Sequence, residues 1–531
     1  MHRRLSPRQI HLDFHTPAWA TDVAGDFDAD RFADTLAGAG VTSVTLFARC
    51  HHGLLYYPSD HRPNLVHPNL RVPDLLNRQV AACQSRGIRT PVYTTVQWDQ
   101  RQAEDHPEWL CVGEDGAPVG GKGPLRPGFY RFLDVYHPGY SRFLRDHVAD
   151  LLAKVPELDG LFLDIVQVRD SLAPHWLRAM EEADVDPADN RAREAFAREV
   201  IDAWKLEMSE YCRSLPGWSD DKTLFYNAGH IGPLDASASA ATTHHEIESL
   251  PGGQWGYLHF PIAHAYARAT DKPSLAMTGR FHTTWGDFHS YRRPAALEYE
   301  CLRAVCEGAA AVSVGDQLDP SGRLDPATYE LIGGVFEKLR AVEPHLADAR
   351  PVKEVAVLTP EAVGGETNEA AAGALGAMGG EVGEADSGAI AMLNDLHRQV
   401  DRVTPDDDLS PYSVVVVPDR VPCDEALTAK LRAYLDGGGA VLLSGECGQA
   451  RELAGVTRGD GLGRQLDFLR PRDDFASSIA RAPHVAYEAA TPVADVDAGS
   501  DVLADCLPPL ADRTYQHYFG HRHAPASDEP Y

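Results

Sequence analysis

Leu158-Asp-Gly-Leu-Phe-Leu-Asp164-Ile-Val166 decides the fold. It reads as a strand with apolar flanks that ends in a carboxylate, and seven other runs share its rhythm of a short apolar or β-branched stretch, a polar loop and an amphipathic helix. Those runs are Ile10 to His15, Val41 to Ala48, Ile88 to Val96, Thr223 to Gly229, Thr242 to Ile247, Ser274 to Arg280 and Ala309 to Asp316. Between them, apolar residues at three-to-four spacing mark helices over Asp30 to Gly38, Pro73 to Gly87, Pro138 to Val155, Asn190 to Leu215 and Pro294 to Glu307. Eight right-handed strand-helix crossovers close into a (β/α)8 TIM barrel, and such a barrel carries its site where the strands run out into their loops.

After Pro351 the alternation restarts with Val355 to Thr359, a Gly/Ala/Glu-rich loop over Glu361 to Gly388, a helix from Ala389 to Arg402, a strand Val414 to Pro418, a helix Asp424 to Leu435, and the run Gly437 to Ser444. This is the pattern of a smaller, flavodoxin-like doubly wound α/β domain. The expected division is a barrel over 1–348, the second domain over 349–510 and a His-rich tail over 511–531.

The chain of 531 residues carries 78 acidic against 49 basic residues, a formal charge of −29, with 44% apolar side chains. That apolar content excludes a disordered solvating chain, and the charge disfavours nucleic acid and anionic membranes, whose phosphates bear the same sign. No secretory signal and no run of ~18 apolar residues is present, and the nine Cys form no C-x-x-C pair. The expectation is a cytoplasmic protein with reduced thiols that handles neutral small molecules.

Asp164 ends its strand where barrel enzymes place catalytic groups, and would otherwise serve as a helix cap. On the sixth strand, alternation puts His244, Glu246 and Glu248 on one side, and three polar groups on one face make poor packing residues. Two carboxylates from different strands suit glycoside hydrolysis, one as nucleophile or base and the other, kept protonated by an apolar setting, as acid. Trp19, Tyr56, Tyr57, Trp98, Trp109, Trp255, Tyr257 and Trp285 follow strand ends and offer faces for a sugar's C–H surfaces. His15, His51, His52, His244, Arg280 and His282 supply hydroxyl contacts, and His517, His521 and His523 lie in the tail. His11-x-Asp13-x-His15 points to a metal-dependent hydrolase, although amidohydrolase barrels place those histidines two apart. Gly445-Glu-Cys447-Gly is an incomplete nucleophile turn, and no nucleotide-binding loop is present.

Phe27-Asp-Ala-Asp-Arg-Phe-Ala-Asp, Ala39 to Leu46, Ala48-Arg-Cys-His51-His52-Gly53 and Leu158 to Asp164 resemble the opening and fourth strand of the α-L-fucosidase barrels. With Glu246 to Tyr257 and Arg513 to His523, the chain is most similar to the hypothetical glycosyl hydrolases related to family 151 and family 29 α-L-fucosidases. In that set the barrel precedes a domain similar to the family 42 β-galactosidase trimerisation domain and is usually followed by a β-rich one. The resemblance implies Asp164 as nucleophile of a retaining mechanism and His51 and His52 on sugar hydroxyls. The acid/base is Glu246 or Glu248, and Leu250-Pro-Gly-Gly, which implies that the strand stops near Ile247, favours Glu246.

The expected protein is therefore a retaining exo-glycosidase of α-L-fucosidase type acting on oligosaccharides or glycoconjugates. It uses neither metal nor other cofactor and associates into a dimer or trimer through its second domain. The sugar-binding set is His15, His51, His52, Trp98, His244, Trp255, Tyr257, Arg280, His282 and Trp285. The rivals are a metal-dependent hydrolase of the amidohydrolase type and a non-catalytic carbohydrate-binding barrel.

Overall fold

The computed structural model describes residues 5–120, 130–270, 272–346, 349–363, 384–419, 421–445, 447–458, 464–472, 479–480, 482–487, 493–517 and 520–528. One compact unit runs to Val352 and a second starts at Lys353. In the first, eight parallel strands follow in order: β1 (Arg8–Asp13), β2 (Ser43–Arg49), β3 (Pro91–Thr95), β4 (Gly160–Asp164), β5 (Thr223–Tyr226), β6 (His245–Glu248), β7 (Ser274–Gly279) and β8 (Ala311–Gln317). They are hydrogen-bonded in the order β5-β4-β3-β2-β1-β8-β7-β6. The two end strands meet, because the Thr243 amide donates to the Leu224 carbonyl and the Glu248 amide to the Ala228 carbonyl, each at 2.8 Å. The barrel is thereby closed, and no edge is left to pair with another chain.

Local chemistry starts the helices where the periodicity expects them. Asp28 accepts the Arg31 amide ahead of Ala29–Gly38, Pro138 opens Pro138–Lys154, and Asp189 accepts the amides of Arg191 and Ala192 ahead of Asn190–Ser214. Their apolar stripes bury Leu36, Leu144, Leu151 and Ile201 against the outward residues Ile10, Val44, Val92 and Leu161 in one continuous core. Helices Pro174–Glu182, His259–Ala267 and Pro326–Leu346 were not among the sequence expectations. The middle one is apolar almost all round and so shows no periodic face.

The second unit begins with a parallel sheet of β9 (Val355–Leu358), β10 (Val400–Val403), β11 (Val414–Val417) and β12 (Ala440–Leu443), in the order β10-β9-β11-β12. The helix expected over Ala389 to Arg402 stops at Asp395, and its last residues form β10 instead. His397 takes a left-handed φ of 56°, which turns the chain back, and β-branched Val400 and Val403 then pack as strand residues. Beyond Val456 the described chain forms two small antiparallel sheets, Val456–Arg458 with Val493–Val496 and Leu466–Pro471 with His484–Tyr487 and Ala504–Leu507. The doubly wound pattern thus ends before residue 510. Most of the expected loop over Glu361 to Gly388 lies outside the described residues. No helix among the described residues is long and apolar enough to cross a membrane.

Candidate active site

Strand alternation fills the barrel with His11, Phe47, Tyr93, Phe162, Phe225 and Glu246. The His11 ring is the hub of this layer, edge-on to Phe47, Tyr93, Phe162 and Trp285 at 5.4 to 5.6 Å. His244 lies against Phe225, ring centroids 4.5 Å apart, with Nδ1 on the Thr243 hydroxyl. Both histidines are buried among rings in the barrel, away from the sugar-binding place expected of His244. His11 is not paired with His15 as a ligand. Among the described residues no three His, Cys, Asp or Glu side chains are grouped to hold a metal ion.

One layer higher, at the strand C-termini, the polar groups converge. Asp164 Oδ2 accepts the Tyr93 hydroxyl at 2.6 Å, and Oδ1 accepts Asn227 Nδ2 at 3.0 Å. The same Asn227 nitrogen donates to Glu248 Oε2 at 2.8 Å. Laid end to end, the 3.0 Å and 2.8 Å bonds cap the separation of the two acceptor oxygens at about 5.8 Å. Glu248 Oε1 accepts the Trp285 indole N–H. Trp285 reaches it because β8 has Gly315 beneath the ring, where a Cβ would come within 2.0 Å of the indole. Strand β6 runs on through Glu248 rather than stopping near Ile247, so Glu248 holds the rim position and Glu246 lies one inward step below it. After Asp164 the chain turns sharply, with Ile165 at φ 56°, a costly conformation for a β-branched residue and one that concentrates at functional sites.

A histidine wall faces the pair. Asp13 Oδ1 is 2.9 Å from His15 Nε2, and Gln317 donates to Asp13 Oδ2 at 3.1 Å. The His51 amide donates to His15 Nδ1, and the two imidazoles stack 3.9 Å apart. Thr95 gives its hydroxyl hydrogen to the Trp98 carbonyl and so accepts from His51 Nδ1 at 2.8 Å. His51 Nε2 is left as a bare acceptor, 3.9 Å from Asp164 Oδ2. Trp98 stacks on Tyr130 and meets His51 edge-on, with His52 beyond Tyr130.

Other expected contacts go elsewhere. Arg280 is committed to Asp316 at 2.8 Å, Trp255 packs on His259, Tyr257 packs on Tyr299, and His282 is exposed on its loop. No described contact joins these four to Asp164 or Glu248. Tyr56 and Tyr57 are core residues and Trp19 is 82% exposed. Tyr93 and Asn227 are the residues that sequence reasoning missed. Asn227 was detectable by the rule that singled out Asp164, since it is an inward polar residue just past a strand end.

Comparisons with known proteins put this cluster of carboxyls on the fold of a glycosidase. Residues 28–165 match the family described as hypothetical glycosyl hydrolase 6, and residues 391–470 match the β-galactosidase trimerisation domain. Over 99% of this chain and 78% of the other, the fold superimposes on α-L-fucosidase isoenzyme 2 from Paenibacillus thiaminolyticus, with 33% identity and a TM-score of 0.89. The chain belongs to this glycoside hydrolase family. The β-galactosidases of Rahnella sp. R3 (15% identity, TM-score 0.67, 94% of this chain and 82% of the other) and Bacillus circulans sp. alkalophilus (14%, 0.66, 95% and 83%) share the fold. No curated protein sequence matches significantly.

In this glycosidase, burial sets the proton affinities of the site. Burial pushes Asp164 above the usual aspartate range, with the Tyr93 and Asn227 donors pulling back. Burial raises Glu248 to about 7 against the pull of Trp285 and Asn227, and the neighbouring Asp164 and Asp13 charges add to the rise. Glu246 is driven well above the usual range by burial and then by Glu248 and Asp164, and neither of its oxygens has a well-formed hydrogen bond among the described residues. Burial thus favours its protonated form. Burial and the nearby His15 hold His51 far below the ordinary value, so its ring is neutral.

Proposed function

We propose that the glycosidase is a retaining exo-enzyme that removes a terminal sugar, with α-L-fucoside the favoured bond, using Asp164 as nucleophile and Glu248 as acid/base. The observation that carries this reading is the single Asn227 nitrogen shared by the two carboxyls. It caps their acceptor oxygens at about 5.8 Å, close to the ~5 to 5.5 Å of retaining pairs and short of the ~6.5 to 9.5 Å of inverting ones. Asp164, ionised, attacks the anomeric carbon while Glu248 gives its proton to the departing oxygen. Water then attacks the glycosyl ester, Glu248 takes the water proton, and Asp164 leaves as the carboxylate. His51 Nε2 accepts a sugar hydroxyl beside the nucleophile, and Trp98 with Tyr130 forms an aromatic wall. The preference for fucoside rests on the relative from Paenibacillus thiaminolyticus.

The test is a panel of 4-nitrophenyl glycosides that includes α-L-fucoside and β-D-galactoside, with NMR detection of the anomer first released. Cleavage of the fucoside with retention is expected. Release of the inverted anomer would remove the nucleophile, and loss of activity to a chelator would favour a metal-dependent hydrolase. By its likeness to the trimerisation domain, the second unit joins subunits into a dimer or trimer. Light scattering that shows a strict monomer would overturn that assignment.

A further inference from the structure

Glu248 is gripped through both oxygens by groups that can only donate. Trp285 Nε1–H holds Oε1, and Asn227 Nδ2 holds Oε2 while its second hydrogen is spent on Asp164. Both bonds are strongest when Glu248 is ionised, since an ionised carboxylate accepts at both oxygens and an acid must turn one of them into a donor. The two halves of the reaction use opposite forms. Glycosylation consumes the proton of Glu248, whereas deglycosylation starts from the carboxylate and ends with the proton back on it. Given the roles of Asp164 and Glu248 proposed above, we infer that Trp285 and Asn227 are positioning residues that hold Glu248 as the base between the two halves and so govern deglycosylation.

The surroundings leave this task to neutral donors. The ionisable groups facing Glu248 are Asp164 from β4, Asp13 from β1 with its partner His15, and Glu246 from its own strand, and the charges of Asp164 and Asp13 disfavour one on Glu248. Arg280, which follows β7, is spent on Asp316. Once Asp164 has become an ester, one of those opposing charges is gone. The indole and amide then stabilise the carboxylate that must take a proton from water.

The test is Trp285→Phe in the full chain, which keeps a ring over Gly315 and deletes the N–H. With the 4-nitrophenyl glycoside that the wild type cleaves, whose leaving group needs little acid help, kcat/KM stays near the wild-type value. At a pH below the Glu248 limb, where the variant's glycosyl-enzyme keeps the proton that the wild type has released, kcat falls by up to about 10- to 100-fold, and KM falls with it. A burst of one nitrophenol per active site precedes the slow steady state. Azide, which carries no proton to remove, restores kcat and yields the glycosyl azide. With an unactivated phenyl glycoside the alkaline limb moves up by about one to two pH units. Asn227→Ala moves that limb the same way, which keeps the inference open to test if Trp285→Phe does not fold. Equal losses in kcat and kcat/KM without a burst, or an unmoved alkaline limb, overturn the inference and leave the nucleophile and acid/base assignments standing. A wild type that cleaves no glycoside of the panel overturns the assignments and the inference together.

Discussion

The inside and the outside of the barrel both bury carboxyls, yet they hold them differently. Outside, Asp99 lies on Arg49 at 3.0 Å, Asp316 on Arg280 at 2.8 Å and Glu300 on Arg292 at 3.3 Å. Inside, the side-chain donors to Asp164 and Glu248 are a phenol, an amide and an indole, and Glu246 has no well-formed bond among the described residues. Burial pushes all of these carboxyls upward, so the difference lies in the group that pulls back. A guanidinium does not give up its proton and fixes its partner as a permanent ion pair. Neutral donors leave the carboxyl free to gain and lose a proton near neutrality, which acid/base chemistry requires. Sites that work and sites that brace are separated by the partner, not by burial.

The largest expected effect breaks the inside set. Asp164→Asn removes the attacking oxygen and lowers kcat on the order of 10⁴-fold or more on any aryl glycoside, because little of the reaction survives without its nucleophile. An active Asp164→Asn enzyme would return Asp164 to a structural role. Glu248→Gln lowers kcat/KM by about 10²- to 10⁴-fold on a substrate with a poor leaving group and much less on a nitrophenyl glycoside, with azide restoring turnover. The outside set answers in stability instead. Asp316→Asn leaves the buried Arg280 charge unpaired and costs about 3 to 5 kcal/mol in urea unfolding, with the pH profile of the folded enzyme unmoved.

Smaller effects sharpen the comparison. The wild-type kcat/KM profile should be bell-shaped. Activity is lost as pH rises through about 7, where Glu248 gives up the proton that it must donate, and as pH falls through the raised value of Asp164, which must be ionised to attack. A profile still rising at pH 9 would exclude Glu248 as the acid. Glu246→Gln keeps the shape of the protonated form that burial favours, so turnover and both limbs should stay in place. If the large loss fell on Glu246→Gln and not on Glu248→Gln, the two roles would be reversed.

The strand-helix rhythm, the eight barrel strands and the rim position of Asp164 were legible from residue pattern, because periodicity and turn chemistry act over a few neighbouring residues. The face shared by His244, Glu246 and Glu248 was legible for the same reason. Which of the two glutamates stands at the rim was not, since a strand's end depends on its neighbours: the Glu248 amide bonds to Ala228 across the closing seam of the barrel. Arg280 and Tyr257 show the same limit, as residues near strand ends whose partners, Asp316 and Tyr299, come from β8 and from the helix Pro294–Cys306.

Asn227 marks the boundary most clearly. Local sequence determined that a polar side chain would leave β5 pointing inward. Only the closed barrel decided that its one nitrogen would meet carboxyls that lie 63 residues before it and 21 after it in the chain, because strands β4, β5 and β6 become neighbours at their C-termini only when the sheet curls shut.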